Sequence, residues 1–398
     1  MKCFILVVSC FFAGVLGAIV CAQEAPATMP VATLPQQWHY IPETPPGSDR
    51  APDLADPVAE HGVVYFGDGS GVMRAADPQN DKILWTKKVG GCIYWLTTDE
   101  KQIYVSGTNG VDAVQKETGE AVWHRDINGG AGNCVALPAA NTVYVGGNDG
   151  QLYALDSATG EEKWSHTLLD DKVHSSANAR VGGLARPTGI STDGTRVYQS
   201  IFDQSRVIAC DAGTGEQRWS FQAKGWILPA AAWDNNYVFV SSQDEYLYCL
   251  ARETGEVLWK FKTGNRVESS ATPLGDLVFV TSCDGYLYAV KISTGELQWK
   301  FRADLMANQK GSPIYSKPLM CRDAVWFAAG EGHVYGLKPA SGELLFKFCP
   351  DEESELFSSL AANDTHLFVT TRHKGGYSKG PPASGGAAIY GFTLEGGQ

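Results

Sequence analysis

The side chains best suited to gripping a ligand are scattered along this chain, and they suit binding better than bond-making. Arg180 and Arg186 flank Gly182-Gly183 in an otherwise acidic sequence. A guanidinium holds a carboxylate through two parallel hydrogen bonds, so this pair fits a carboxylate-bearing or acidic partner. Trp95, Asn133, Trp226, Arg266, Glu268 and Lys310 form a second set, joined by Tyr94, Glu355 and Phe357. The set mixes aromatics with both charge signs, a lining that accepts a peptide, a small polar molecule or water alone. The plain alternative for the basic members is internal pairing with Asp170, Asp171 or Glu268. Signatures of catalysis are missing: no H-E-x-x-H and no phosphate-binding Walker loop. The eight histidines stand apart from one another, without metal-ligand spacing. The residues therefore lead to an expectation of no catalytic group, no cofactor and no metal.

These side chains need a scaffold, and a repeat supplies it. Thr-Gly-Glu-x-x-Trp occurs as Thr118 to Trp123, Thr159 to Trp164, Thr214 to Trp219, Thr254 to Trp259 and Thr294 to Trp299. Ser341 to Phe346 is a degenerate copy, and Asn80-Asp81-Lys82 to Trp85 keeps only the aromatic. Successive aromatics are 38, 41, 55, 40, 40 and 47 residues apart. A period near 40 built from short strands means radial repetition. A second phrase marks the strand before each turn. It runs Val64-Tyr65-Phe66, Ile103-Tyr104-Val105, Val143-Tyr144-Val145, Val197-Tyr198-Gln199, Val238-Phe239-Val240, Val278-Phe279-Val280, Val325-Trp326-Phe327 and Leu367-Phe368-Val369. Eight phrases predict an all-β, eight-bladed β-propeller of four-stranded antiparallel blades. The last unit ends without its outer strand, and Gln37-Trp38-His39-Tyr40 from the N-terminal side is expected to fill the gap. Trp164, Trp259 and Trp299 are expected to be buried between blades, each indole N–H reaching a neighbouring carbonyl. The innermost strands should line a funnel holding Trp95, Asn133, Arg180, Trp226, Arg266, Glu268 and Lys310. The period stretches at 170–189 and 303–318, and a Gly/Ser/Pro loop occupies 373–386; such insertions are where binding loops concentrate.

Residues 1–22 read as a signal peptide, with Lys2 before an apolar run and Val20-Cys21-Ala22 at the exit. A membrane anchor or a lipid on Cys21 are the rivals, though Val20 is bulky for a lipidation motif. Residues 23–36 then form a linker and 37–394 the propeller. Losing Lys2 turns a net charge of −12 into −13, which disfavours nucleic acid as a partner. Seven of the 10 cysteines lie beyond the leader, none adjacent to another. They read as dispersed core thiols, with one or more disulfides as the alternative.

Leu152–Trp164, Leu-Tyr-Ala-Leu-Asp-x-x-Thr-Gly-Glu-x-x-Trp, resembles the repeat of PQQ-like (quinoprotein-type) eight-bladed propellers, and the resemblance extends over about 38–394. The family contains quinone-dependent alcohol and glucose dehydrogenases and a non-enzymatic branch typified by BamB. The dehydrogenase resemblance would imply two adjacent bridged cysteines, a calcium site and a Trp floor. Trp226 and Trp95 offer floor candidates, but the adjacent cysteines and a recognisable calcium motif are missing. The resemblance therefore implies a BamB-like, non-catalytic exported scaffold, monomeric, binding a protein partner in the cell envelope. A quinoprotein dehydrogenase with a degenerate site is the alternative.

Overall fold

A computed structural model describes residues 34–42, 54–137, 140–168, 187–304, 312–352, 354–356, 359–373 and 387–394. Seven four-stranded antiparallel sheets follow one another along the chain, each in simple up-and-down order. They occupy 58–88, 93–126, 131–167, 187–222, 232–262, 272–302 and 319–348, blades one to seven. Blade eight combines Ala361–Ala362, His366–His373 and Ala388–Thr393 with the N-terminal strand Gln36–Tyr40. That strand runs antiparallel to the last one, Trp38 opposite Gly391 and Tyr40 opposite Ile389. The ring closes as the sequence predicts. Trp38, Phe66, Phe368 and Ile389 share one buried cluster across the seam between blades eight and one. Closure leaves no gap in the ring of sheets.

All eight Val-Tyr-Val-type phrases form second strands. Their β-branched and aromatic side chains are almost wholly buried, because each sheet is covered on both faces by its neighbours. A carboxylate opening the following turn bonds the phenol of the next strand. Tyr153 donates to Asp149 at 2.6 Å, Tyr248 to Asp244 at 2.8 Å and Tyr288 to Asp284 at 2.6 Å.

The repeat motif welds one blade to the next. Each indole N–H donates to a carbonyl of the following blade: Trp85 to Lys116 at 2.8 Å, Trp123 to Ser157 at 2.9 Å, Trp164 to Ala212 at 3.1 Å, Trp219 to Arg252 at 2.9 Å, Trp259 to Ile292 at 2.7 Å and Trp299 to Pro339 at 3.0 Å. The motif glycine of that following blade lies flat against the same indole. At Gly255 φ is +72° and an added Cβ would lie 2.7 Å from the Trp219 ring. The turn demands left-handed backbone, and the ring leaves no room for a side chain. Sequence reading places Trp164, Trp259 and Trp299 fully inside, and here the structure differs. All three are part-buried, whereas Trp38, Trp85 and Trp219 are buried. One edge of each of these three rings meets water.

Candidate functional site

Strand register locates the innermost residues that no repeat phrase marks. The first residues of the eight second-strand phrases pair with Ala59, Thr98, Ala136, Thr192, Trp233, Pro273, Met320 and Ala362. Three residues earlier, one per blade, stand Asp56, Trp95, Asn133, Gly189, Ala230, Ser270, Lys317 and Ser359. Two neighbouring pairs of this series meet. The Ser359 backbone N–H donates to Asp56 Oδ1 at 3.2 Å across the closing seam. A Cβ on Gly189 would lie 1.9 Å from the Ala230 nitrogen, so blade four meets blade five here with glycine alone. Bonds just beside the ring tie further blades: Ser200 Oγ donates to Pro229 O at 2.7 Å, and Thr281 Oγ1 to Ser316 O at 2.7 Å.

This inner ring carries one anion and one cation. Burial pushes the Asp56 carboxyl up to about 6, against the pull of its Ser359 bonds. Crowding pulls the Lys317 ammonium below the usual lysine range. Lys317 nonetheless remains exposed to solvent. Among the described residues Lys317 has no hydrogen-bonding or ionic partner.

The funnel set predicted from sequence is spread over several levels. Trp95 and Asn133 stand in the inner ring, both part-buried. Trp226 and Arg266 share a position seven residues before the register partner in blades five and six. Trp226 is 50 % exposed and packs on Phe202, ring centroids 4.5 Å apart. Arg266 and Glu268 do meet: Arg266 Nη1 lies 3.0 Å from Glu268 Oε1, and Gln243 Nε2 donates to the same oxygen at 2.7 Å. The internal pairing weighed from sequence holds for this arginine. Glu355 pairs with Arg372 in a two-residue strand at the far end of His366–His373. The innermost strand of blade four is Pro187–Thr192, and its Ile190–Thr192 pairs with the phrase Val197-Tyr198-Gln199. Arg180, Arg186, Lys310 and Phe357 lie outside the described residues. Sequence reading missed Asp56, Lys317 and Ser359, for which counting back from the second-strand phrase is the available signal.

The described residues do not fit the quinone and calcium that the dehydrogenase resemblance would imply. Cys210, Cys249, Cys283 and Cys321 are free thiols, and no two cysteines of the sequence are adjacent. Burial pushes the thiols of Cys210, Cys249 and Cys283 up to about 12, as for inert core groups. Among the described residues no three His, Cys, Asp or Glu side chains converge to hold a metal ion. No helix among them is long and apolar enough to cross a membrane.

Comparison with known proteins places this geometry in context. A family model described as outer membrane protein assembly factor BamB matches residues 35–220 and 203–347. The serine/threonine-protein kinase AfsK of Streptomyces griseus is 29% identical over 127 residues, 31% of this chain and 14% of the kinase. BamB of Kangiella koreensis is 29% identical over 135 residues, 31% of this chain and 33% of that protein. The matched segment thus spans a third or less of either relative. Among solved structures, BamB from Moraxella catarrhalis superposes with a TM-score of 0.67 at 18% identity, covering 90% of this chain and 100% of that one. Quinohemoprotein alcohol dehydrogenase from Comamonas testosteroni superposes at 0.64 with 14% identity, covering 92% and 77%. Both likenesses speak to the fold alone.

Proposed function

We propose, from the premise that the chain belongs to the PQQ-like propeller family described as outer membrane protein assembly factor BamB, that it is an exported, non-catalytic scaffold of the cell envelope. The family match over 35–347 is the observation that carries this reading. The protein binds a protein partner and works as a monomer in the periplasm or at the envelope, without nucleic acid and without a lipid on Cys21. Its task is to hold other chains in place. A rigid ring suits that task, because blades one to six are each bonded to the next through an indole N–H. The funnel mouth supports binding over catalysis: Arg266 is neutralised by Glu268, and Trp226 offers a half-exposed aromatic surface. The quinoprotein dehydrogenase is the second reading, favoured only by the shared fold. Purified protein is mixed with PQQ and calcium, and quinone absorbance and dye-linked alcohol oxidation are followed. The scaffold reading expects neither signal above a denatured control. A stoichiometric quinone complex with turnover overturns it.

A further inference from the structure

Outer strands carry a second pattern, unrelated to the funnel. After each repeat aromatic the strand alternates, and its outward side chains are often basic. Carboxylates neutralise Arg125 of blade two, 2.7 Å from Glu162, and Lys347 of blade seven, paired with Asp304. Lys163 and Arg218, just before the aromatics of blades three and four, lie 3.2 Å from Asp156 and 2.8 Å from Asp211. Blade one presents Lys87 and Lys88 with no ion pair among the described residues, Lys88 donating to Ser70 O. Blades five and six adjoin and carry the larger set. Their outer strands, Val257–Lys262 and Leu297–Arg302, present Lys260, Lys262, Lys300 and Arg302 to solvent. Only Lys262 has a carboxylate, Glu245 at 3.4 Å, and both side chains are well exposed. Lys260 sits over the Tyr246 ring at 4.7 Å from its centroid, Lys300 over Tyr286 at 4.7 Å and Arg302 over Tyr286 at 5.6 Å. The tyrosines fix these charges in place without neutralising them. Unneutralised positive charge on two consecutive blades is out of keeping with a chain of net charge −12.

Two further features coincide there. The same strands begin with large apolar side chains in water: Val257 is 48 % exposed, Leu258 51 % and Leu297 45 %. Each strand is also the last of its sheet, so its outer row of N–H and C=O groups faces away from the protein. Cations, apolar side chains and free backbone are the three elements that recognise an extended peptide.

We propose that the outer edges of blades five and six form a docking surface for an acidic, partly apolar extended segment of a partner protein. The assignment rests on the reading of the chain as a protein-binding scaffold and gives that scaffold a contact surface. Carboxylates of the segment meet Lys260, Lys300 and Arg302, its apolar side chains meet Val257, Leu258 and Leu297, and its backbone pairs with a strand edge. An anionic membrane would use the charges alone and leave the backbone edge unused.

The test uses the full mature chain and a short labelled peptide of alternating glutamate and valine, followed by fluorescence anisotropy. Wild type binds, and binding weakens with salt. Lys260→Glu with Lys300→Glu and Arg302→Glu weakens it by roughly tenfold or more, since each exposed contact contributes a fraction of a kcal/mol and reversal adds repulsion. Lys163→Glu with Arg218→Glu changes positions already neutralised and leaves binding within about twofold of wild type. A backbone N-methylated peptide binds distinctly less well. Equal binding by the triple variant overturns the proposal. So does sedimentation of wild type with phosphatidylglycerol vesicles that the peptide fails to compete away. If the peptide fails while crosslinking still captures an envelope protein, the edge is wrong and the scaffold reading stands. If the peptide binds but no envelope partner exists, the scaffold reading fails and the edge stands.

Discussion

Gly255→Ala tests the weld between blades at one atom. Gly255 has φ +72°, and an added Cβ would lie 2.7 Å from Cδ2 and Cε3 of Trp219. Left-handed backbone costs an L-residue about 1–2 kcal/mol. Overpacking adds about 1–3 kcal/mol. The indole cannot slide aside freely, because its N–H is bonded to Arg252 O at 2.9 Å. Moving it gives up a further ~0.5–1.5 kcal/mol, so the strain stays near the upper part of that range. Gly275→Ala is the control: φ is +56° and no atom lies within 4 Å of the added Cβ. It carries the backbone term alone. The loss of unfolded-state freedom is common to both variants and cancels. Urea unfolding of the two should therefore differ by about 1–3 kcal/mol, Gly255→Ala being the less stable. Equal losses would mean that the indole does not confine the turn, and the account of the repeat motif would fail.

Trp259→Phe keeps an aromatic but removes the donor to Ile292 O; it should cost about 1–2 kcal/mol in the same assay, and a loss below the error of the fit would show the bond to be idle. Asp56 gives a pH signature. Its folded carboxyl is raised to about 6 from 3.8, so its favourable contribution is present below the unfolded value and is lost as pH rises through the folded one. Asp56→Asn, which keeps an acceptor for the Ser359 N–H, should melt increasingly above wild type as pH climbs from about 4 to about 7; parallel curves would refute the assignment. Alkylation under denaturing but non-reducing conditions should label Cys210, Cys249, Cys283 and Cys321 in full, since these four are free thiols; protection of any of them until reductant is added would place it in a disulfide.

The ring was legible because its signal is repeated. Eight Val-Tyr-Val phrases set the second strands, and the unit lacking a Thr-Gly-Glu-x-x-Trp copy pointed to Trp38 as the closing piece. The inner ring was not. Blades five, six and seven have innermost strands of two or three residues, Ala232–Trp233, Thr272–Leu274 and Leu319–Cys321, too short to show alternation. Asp56 and Lys317 sit just before Pro57 and Pro318, in segments that read as loops. Their place emerges only when the partner strand is counted back. Charge pairing was equally hidden, since sequence gives the number of cations and not their distances. Arg266 looked available and is held by Glu268, while Lys260 and Lys300 sit over tyrosine rings with no ion pair among the described residues. The partial exposure of Trp164, Trp259 and Trp299 was hidden too, since Trp85 and Trp219 hold the same place in the repeat and are buried.

The central claim is that this propeller holds a protein partner in the cell envelope. Affinity capture of the tagged mature chain from crosslinked envelope extract, read by quantitative mass spectrometry, tests it most directly. The account predicts that an outer-membrane assembly component is enriched at near-stoichiometric level, and that Lys260→Glu with Lys300→Glu and Arg302→Glu lowers the yield. Recovery of the chain alone, with bound quinone and no crosslinked protein, would contradict it.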